Sequence, residues 1–435
     1  MTLTNRFSFL CLTLLSVICT STLSSRQVLT LDDCLRIARR YSLALRHNAN
    51  GVRLGGLQLS ELNKSALPSV SVQGKAEHAP DAGGKGYDPA ITDGGQYSAQ
   101  IVVQDQLYDG GARGIRSDQI ALDLRRLTVE QQQAERGLDY AVTVAYVDAL
   151  EGRDAELLAR HRADELARYR ELSERLFRGG GVDYTDVLKI RVSEEQTAIA
   201  VQKASENARL KRITLAETIG TPADTAFSLA GDIGETDSVN VDSLLNAVAV
   251  DSSHILELRL ADADIRRSLL DVDLAKRERY PSVTLNGDVG FLTSGDNLRL
   301  APDQRLNAFG YSIGVTVENL LFNWGSTDLR IEQREVAAEE ERVGYEEKRR
   351  GIVGELERIR YQVASAVVQL HSLRTTAGLA EDSYVLTKAR YAGGGVSALE
   401  VLAAEESLAE IRSSQLETRA ELQRLVAKVR LWLPQ

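Results

Sequence analysis

Two glycine triplets with carboxylates close behind them most invite a chemical reading: RGGGVDYTD, Arg178–Asp186, and AGGGVSALE, Ala392–Glu400. A glycine-rich turn ahead of a helix can cradle phosphate on its backbone amides. That chemistry also needs a lysine in the turn and a strand before it, and GGGVDYTD has neither. His47, His78, His161, His254 and His371 are scattered without a metal-ligand spacing. Adjacent acids such as Glu194 and Glu195 read as solvated helix faces. No catalytic residue, metal or cofactor is expected from these side chains.

The triplets instead look like joints, and they are copies of one joint. RYAGGGVSALEVL, Arg390–Leu402, repeats LFRGGGVDYTDVL, Leu176–Leu188, at an offset of 390 − 176 = 214 residues. SALPSVSVQG answers RERYPSVTLNG with Pro281 − Pro68 = 213, and QLYDGG, from Gln106, answers LLFNWG, from Leu320, at 214 again. Three marks in one order at one spacing indicate an internal duplication, which overrides the soft prior of roughly three domains for 435 residues. Each half reads helix, strand, loop, strand, long helix, glycine joint, long helix. The expected divisions are 1–25, a leader; 26–230, a first repeat; and 231–435, a second.

The leader reads MTLTNRFSFLCLTLLSVICTSTLSS: one basic residue, a short apolar run and small residues, the pattern of a secretory signal peptide. Cys11 and Cys19 fall within it, so Cys34 stands alone and no disulfide framework is expected. Net charge is 52 − 62 = −10, against a generic nucleic-acid binder, and aromatics are 5%, thin for a large globular core.

The strand segments alternate. In Ser282–Phe291, Val283, Leu285, Val289 and Phe291 point one way and Ser282, Thr284, Asn286 and Asp288 the other. In Phe309–Leu320, Tyr311, Ile313, Val315 and Val317 oppose Ser312, Thr316 and Glu318, and the first half repeats the pattern more weakly. A soluble sandwich also alternates, but it needs more than four strands, and these runs match the ~9–11 residues that cross a bilayer at a tilt. The long segments are helical. Apolar residues at Leu356, Ile359, Val363, Ala366, Leu370, Leu373, Ala377, Ala380 and Tyr384 step by three and four, a coiled-coil seam. Between Ala112 and Leu176 no proline interrupts a rod of roughly 90–100 Å.

These features resemble the TolC-like outer-membrane efflux protein family: the opening LTLDDCLRIARRYSLALR, the strand-starting LPSVSV and YPSVTL, the strand-ending QLYDGG and LLFNWG, and both glycine joints. The resemblance implies an α+β membrane protein, internally duplicated. Four transmembrane β-strands per chain would enter a trimeric twelve-stranded barrel, continued by a long periplasmic α-helical coiled-coil barrel. Physics agrees in part. Four strands cannot close alone, and an open edge in lipid leaves backbone groups unpaired, so at least two copies are needed; the residues do not choose between two and three.

The resemblance further implies an outer-membrane exit duct of a tripartite efflux pump or type I secretion system, passive and gated at its periplasmic tip. Its partners would be two further copies, a periplasmic adaptor (membrane fusion protein), an inner-membrane pump and outer-membrane lipid, with no nucleic acid. Adaptor-contacting tips would be Gly180, Gly181, Val182, Gly394, Gly395 and Val396. Glu400 falls where the family often rings the pore constriction with acid, Asp186 is its first-half counterpart, and Tyr391 matches a tyrosine that bonds the Asp186 position. Against this, carboxylates at Glu400 and Asp186 are also favoured simply by the first turn of a helix. Ala403 stands where some members have a second acid and Val396 where some have a gating arginine, so the latch is expected to differ here. The rival reading is a soluble periplasmic coiled-coil adaptor. Adaptors usually carry one hairpin per chain, and the duplicated strand pair argues against it.

Overall fold

The computed structural model describes residues 27–79, 94–222, 227–233, 255–295 and 306–432. The leader expected at 1–25, with Cys11 and Cys19, lies outside them, as do His254 and most of the loops between strand partners.

The chain opens with a short strand β1 (Gln27–Leu29), then α1 (Leu31–Tyr41) and α2 (Leu43–Lys64). Thr30 caps α1 in a reciprocal box with Asp33, each side chain satisfying a backbone N–H of the other's turn. Next come β2 (Ser69–Ala79), β3 (Gly94–Asp109), α3 (Ala112–Arg178) and α4 (Tyr184–Ile219). A short strand β4 (Phe227–Leu229) pairs in parallel with β1. The order then repeats as α5 (Leu256–Arg277), β5 (Ser282–Gly295), β6 (Leu306–Glu318), α6 (Ser326–Ala392) and α7 (Ala398–Arg430).

The duplication is visible in element lengths. Helices α3 and α6 are both 67 residues, and their starts differ by 326 − 112 = 214. At ~1.5 Å per residue each is a rod of about 100 Å. No described helix is both long and apolar enough to cross a membrane.

Strands β2, β3, β5 and β6 form one antiparallel sheet in that order, so β2 and β6 are edges without a partner in the chain. The strands are 11, 16, 14 and 13 residues long, and β5 runs on to Gly295, past the Ser282–Phe291 read from alternation. Pairing of backbones carries on into the glycine-rich polar segments, where side chains no longer alternate. The register puts like with like. Val72 opposes Ile101, Ile101 opposes Val289 and Val289 opposes Tyr311, while on the other face Asp288 opposes Ser312 and Thr284 opposes Thr316. One face is therefore apolar across all four strands, and in the single chain it is open: Val72, Tyr311 and Ile313 are 81%, 80% and 77% exposed. The opposite face is hydroxyls, amides and a few charges, with Asn286 Nδ2 donating to Thr316 Oγ1 at 3.1 Å and the Ser312 hydroxyl to Asp288.

Three apolar cores lie along the rods. Around β1 and β4, Val142, Tyr146 and Leu150 of α3 pack on Leu215 and Ile219 of α4. There the Tyr146 hydroxyl reaches the carbonyls of Leu29 and Ala230, and Arg153 Nη1 donates to the Gly231 carbonyl at 2.9 Å, tying the small sheet to α3. Five of the nine seam positions of α6 are buried within the chain, and Leu356, Leu373, Ala377 and Ala380 are half-buried. Ile359, Val363, Ala366, Leu370 and Tyr384 are all under a tenth exposed, the first three packing with Leu422, Val426 and Val429 of α7. This part of the seam packs within one hairpin. Leu370→Ala should cost about 2–4 kcal/mol in denaturant unfolding, through lost transfer energy plus a cavity. Its exposed neighbour Gln369→Ala should stay within about 0.5 kcal/mol; equal costs would refute the seam.

Candidate functional site

At the far end of the rods both helical hairpins turn on glycine, by the same hydrogen bonds. Gly180 N–H donates to Phe177 O and Gly181 N–H to Leu176 O; Gly394 N–H donates to Tyr391 O and Gly395 N–H to Arg390 O. This is the Schellman arrangement, in which the residue past the helix cap adopts left-handed φ. Gly180 and Gly394 have φ of 72° and 74°, where a side chain would be strained. The tips meet: a Cβ at Gly394 would lie 3.9 Å from the Gly181 carbonyl oxygen. Val182 and Val396 fold inward onto the core beneath, and the tip glycines Gly180, Gly181, Gly394 and Gly395 are exposed.

That core draws on four helices: Leu166 and Tyr169 from α3, Ile190 from α4, Tyr384 and Tyr391 from α6, and Ala398, Val401 and Leu408 from α7. Tyr391 is wholly buried. Its ring stands edge-on to Tyr169, centroids 5.1 Å apart, and its hydroxyl shares a 2.8 Å hydrogen bond with Ser173 Oγ, also wholly buried. The Tyr169 hydroxyl is buried and finds no partner of its own. Burial pushes both phenols above the usual tyrosine range; the Asp186 carboxylate nearby pushes the same way, and the Ser173 bond pulls Tyr391 back.

Within the chain, then, the hydroxyl expected to bond Asp186 goes to Ser173. Asp186 sits in the first turn of α4, its side chain 16% exposed, 3.6 Å from Lys189 Nζ. Glu400 is exposed in the first turn of α7 and closes a capping box: Ser397 N–H donates to Glu400 Oε1 at 3.2 Å, and Ser397 Oγ to the same oxygen at 3.1 Å. So Glu400 has a structural task at the helix start.

Below the tip the two hairpins are bolted together by charge. Arg162 Nε lies 2.9 Å from Glu405 Oε1, joining α3 to α7, and Lys388 Nζ donates to Glu165 Oε2 at 3.0 Å, joining α6 to α3. Glu405 is buried, which raises its carboxyl against the opposing pull of Arg162; the Lys388 bond holds Glu165 below the usual glutamate range. These groups line a cavity of about 820 Å³ between the hairpins.

Ser173, Tyr169 and the cross-hairpin pairs escaped the sequence reading. A signal existed for Ser173. Leu166, Tyr169 and Ser173 step by three and four, so a hydroxyl occupies a position the seam reserves for an apolar side chain. A mutant cycle tests the link. Tyr391→Phe and Ser173→Ala should couple by about 0.5–1.5 kcal/mol in unfolding experiments. Coupling of Tyr391→Phe to Asp186→Asn, with none to Ser173→Ala, would reassign the hydroxyl.

Residues 253–433 match the family model for outer membrane efflux proteins. The chain is similar to nodulation protein T of Rhizobium leguminosarum bv. trifolii, 21% identical over 385 residues, covering 86% of this chain and 79% of that one. Among solved structures, the outer membrane protein VceC of Vibrio cholerae superposes with a TM-score of 0.73 at 18% identity, covering 92% of this chain and 94% of that chain. The CmeC outer membrane channel of Campylobacter jejuni gives 0.72 at 15% identity, covering 92% and 84%. The open-state MtrE outer membrane channel of Neisseria gonorrhoeae gives 0.66 at 16%, covering 92% and 88%.

Proposed function

We propose that this chain, whose resemblance to TolC-like outer-membrane efflux proteins now rests on a family match and a shared fold, is one protomer of an outer-membrane efflux channel. The observation that carries the reading is the sheet: mostly apolar on one face, where Asp105 is the exception, mostly polar on the other, where Val102 is, and open at both edges. Lipid covers such an apolar face and water fills the polar one. The open edges demand more copies, because unpaired backbone groups cost several kcal/mol each in hydrocarbon. Three copies, as in the family, supply 3 × 4 = 12 strands, within the range of bacterial barrels. The helices then extend a conduit about 100 Å into the periplasm of a Gram-negative-type cell.

On this reading the chain after its leader is two repeats, 26–230 and 231–435, each giving two strands and one hairpin. The duct serves a tripartite pump or a type I secretion system. Its tips, Gly180, Gly181, Val182, Gly394, Gly395 and Val396, meet a periplasmic adaptor. Tyr391 and Asp186 take part in holding the mouth shut, and Glu400 from three copies rings its narrowest point. Like charges in a narrow neck focus the field, attracting cations and disfavouring anions.

Fractionation tests the channel. The protein should copurify with outer membrane as a heat-labile oligomer. Val315→Arg, on the apolar face, should impair assembly at a cost of about 2–4 kcal/mol near the midplane, while Thr316→Arg, on the polar face, should assemble. Equal behaviour would overturn the assignment of faces. The pore role of Glu400 is tested apart from its capping role, since a glutamine at this position preserves the capping box. Glu400→Gln should cost no more than about 0.3–1 kcal/mol of stability, the lost charge at the helix start, but weaken cation selectivity and block by trivalent cations in planar bilayers. Unchanged selectivity and block would leave Glu400 as a capping residue alone.

A further inference from the structure

Resting on the multi-copy barrel proposed above, we infer the register of the strand seam between copies. Residues 312–323 of one copy pair antiparallel with Ser69–Ala79 of the next, and the five residues after β6 become strand in doing so.

The duplication sets this register, and the sheet itself verifies the duplication. Within the first repeat Ser69 pairs with Gln104. Adding 213 to the first and 214 to the second gives Ser282 and Glu318, which are paired in the second repeat. The junction between repeats, β3 on β5, therefore has a counterpart in β6 on β2 of the partner subunit, and the same offsets convert one into the other. Val102 paired with Asp288 becomes Thr316 (102 + 214) opposite Lys75 (288 − 213) of the partner subunit. Tyr108 paired with Val283 becomes Phe322 (108 + 214) opposite Val70 (283 − 213) of the partner subunit, and Asp109 paired with Ser282 becomes Asn323 opposite Ser69 of the partner subunit. The faces agree: Val317 and Phe322 fall beside the partner's Gly74 and Val70 on the apolar side, Thr316 and Glu318 beside the partner's Lys75 and Gln73 on the polar side.

Strand length supplies independent support. β3 continues to Asp109 because β5 is there to receive it, with a bulge between Gln106 and Tyr108. β6 stops at Glu318, the counterpart of Gln104 (104 + 214 = 318), and residues 319–323 lie outside any strand. Leu321 and Phe322 are then 88% and 70% exposed. The sequence keeps the motif, and only the receiving strand is missing. The pairing also breaks symmetry at one point. A Cβ at Gly110 would sit 3.0 Å from Tyr280 Cβ and 3.1 Å from the Arg277 carbonyl, so the joint inside the chain has no room for a side chain. Its counterpart is Trp324, at φ 58° and 88% exposed. The counterpart of Tyr280 is Leu67 (280 − 213), itself exposed, so the joint between copies must open by a side chain and seat the indole over Leu67 of the partner subunit.

Disulfide trapping reads the register. Directly opposed residues have Cα atoms ~4.5–5.5 Å apart, inside the ~4.4–6.8 Å that a disulfide tolerates. Two residues of slip place them about 8 Å apart. Within one chain the sites lie on opposite sheet edges, three strand spacings or about 14 Å apart, so any product is between copies. Cys34 is buried and gives no background. In the membrane-inserted full chain, Lys75→Cys with Thr316→Cys, and Val70→Cys with Phe322→Cys, should each convert most of the protein to covalent multimers on non-reducing gels. Gln73→Cys with Thr316→Cys should give at most about a tenth as much. Trapping by the slipped pair at or above the level of the matched pair overturns the register. Monomer only from Val70→Cys with Phe322→Cys, while Lys75→Cys with Thr316→Cys is trapped, overturns the extension of β6. A wild-type chain with no oligomer in the outer membrane defeats the channel reading, and the seam with it.

Discussion

Everything else in this chain follows from two unpaired strand edges. The sheet satisfies the backbone groups of β3 and β5 on both sides and leaves one side of β2 and β6 without partners. In water such edges can be hydrated, but against hydrocarbon they cannot. The face that carries Val70, Ile101, Val289 and Val315 is mostly apolar, with Asp105 beside Leu285 as its charged exception, and suits hydrocarbon better than water. On the proposed reading a chain with that face and those edges is one segment of a closed wall, and its duplication supplies the rule for closing: what β3 does to β5 inside the chain, β6 would do to the next β2.

The same duplication shapes the helices, with instructive exceptions. Both hairpins turn on equivalent left-handed glycines and hydrogen bonds, since only that geometry satisfies the last carbonyls of α3 and α6 while reversing the chain. The helices that follow begin differently. Asp183 caps α4 through its own side chain, whereas Ser397 and Glu400 cap α7 as a reciprocal pair. At the base of the rods Gly110 gives way to Trp324. Equivalent backbones persist where geometry leaves no choice, and side chains diverge where the two repeats face different neighbours.

The tip combines rigidity with a short list of polar contacts. Four helices share one core, and two cross-hairpin ion pairs stand behind it. Only a few hydroxyls interrupt the apolar packing, Tyr391 with Ser173 and the unpartnered Tyr169. A buried hydroxyl without a partner costs free energy, and the Tyr169 hydroxyl is such a group in this layer.

By itself the sequence determined the periodic features: the doubled glycine joint, the proline-free rods, the three-four seam later found buried along α6, and the alternation that sorts Val315 from Thr316. Each follows from spacing along the chain, because helices and strands convert spacing directly into faces. Strand ends were less legible, since pairing ran into glycine-rich segments with no alternation to mark them. The partners of individual polar groups were decided only by tertiary structure. Tyr391 and Ser173 are 218 residues apart, as Arg162 and Glu405 are 243, and no local pattern links them. The Tyr391 hydroxyl took a serine rather than the expected aspartate because packing of α3 against α6 placed that serine within 2.8 Å. Which of several nearby acceptors a buried hydroxyl reaches depends on how two rods lie across each other, a quantity that no single rod contains.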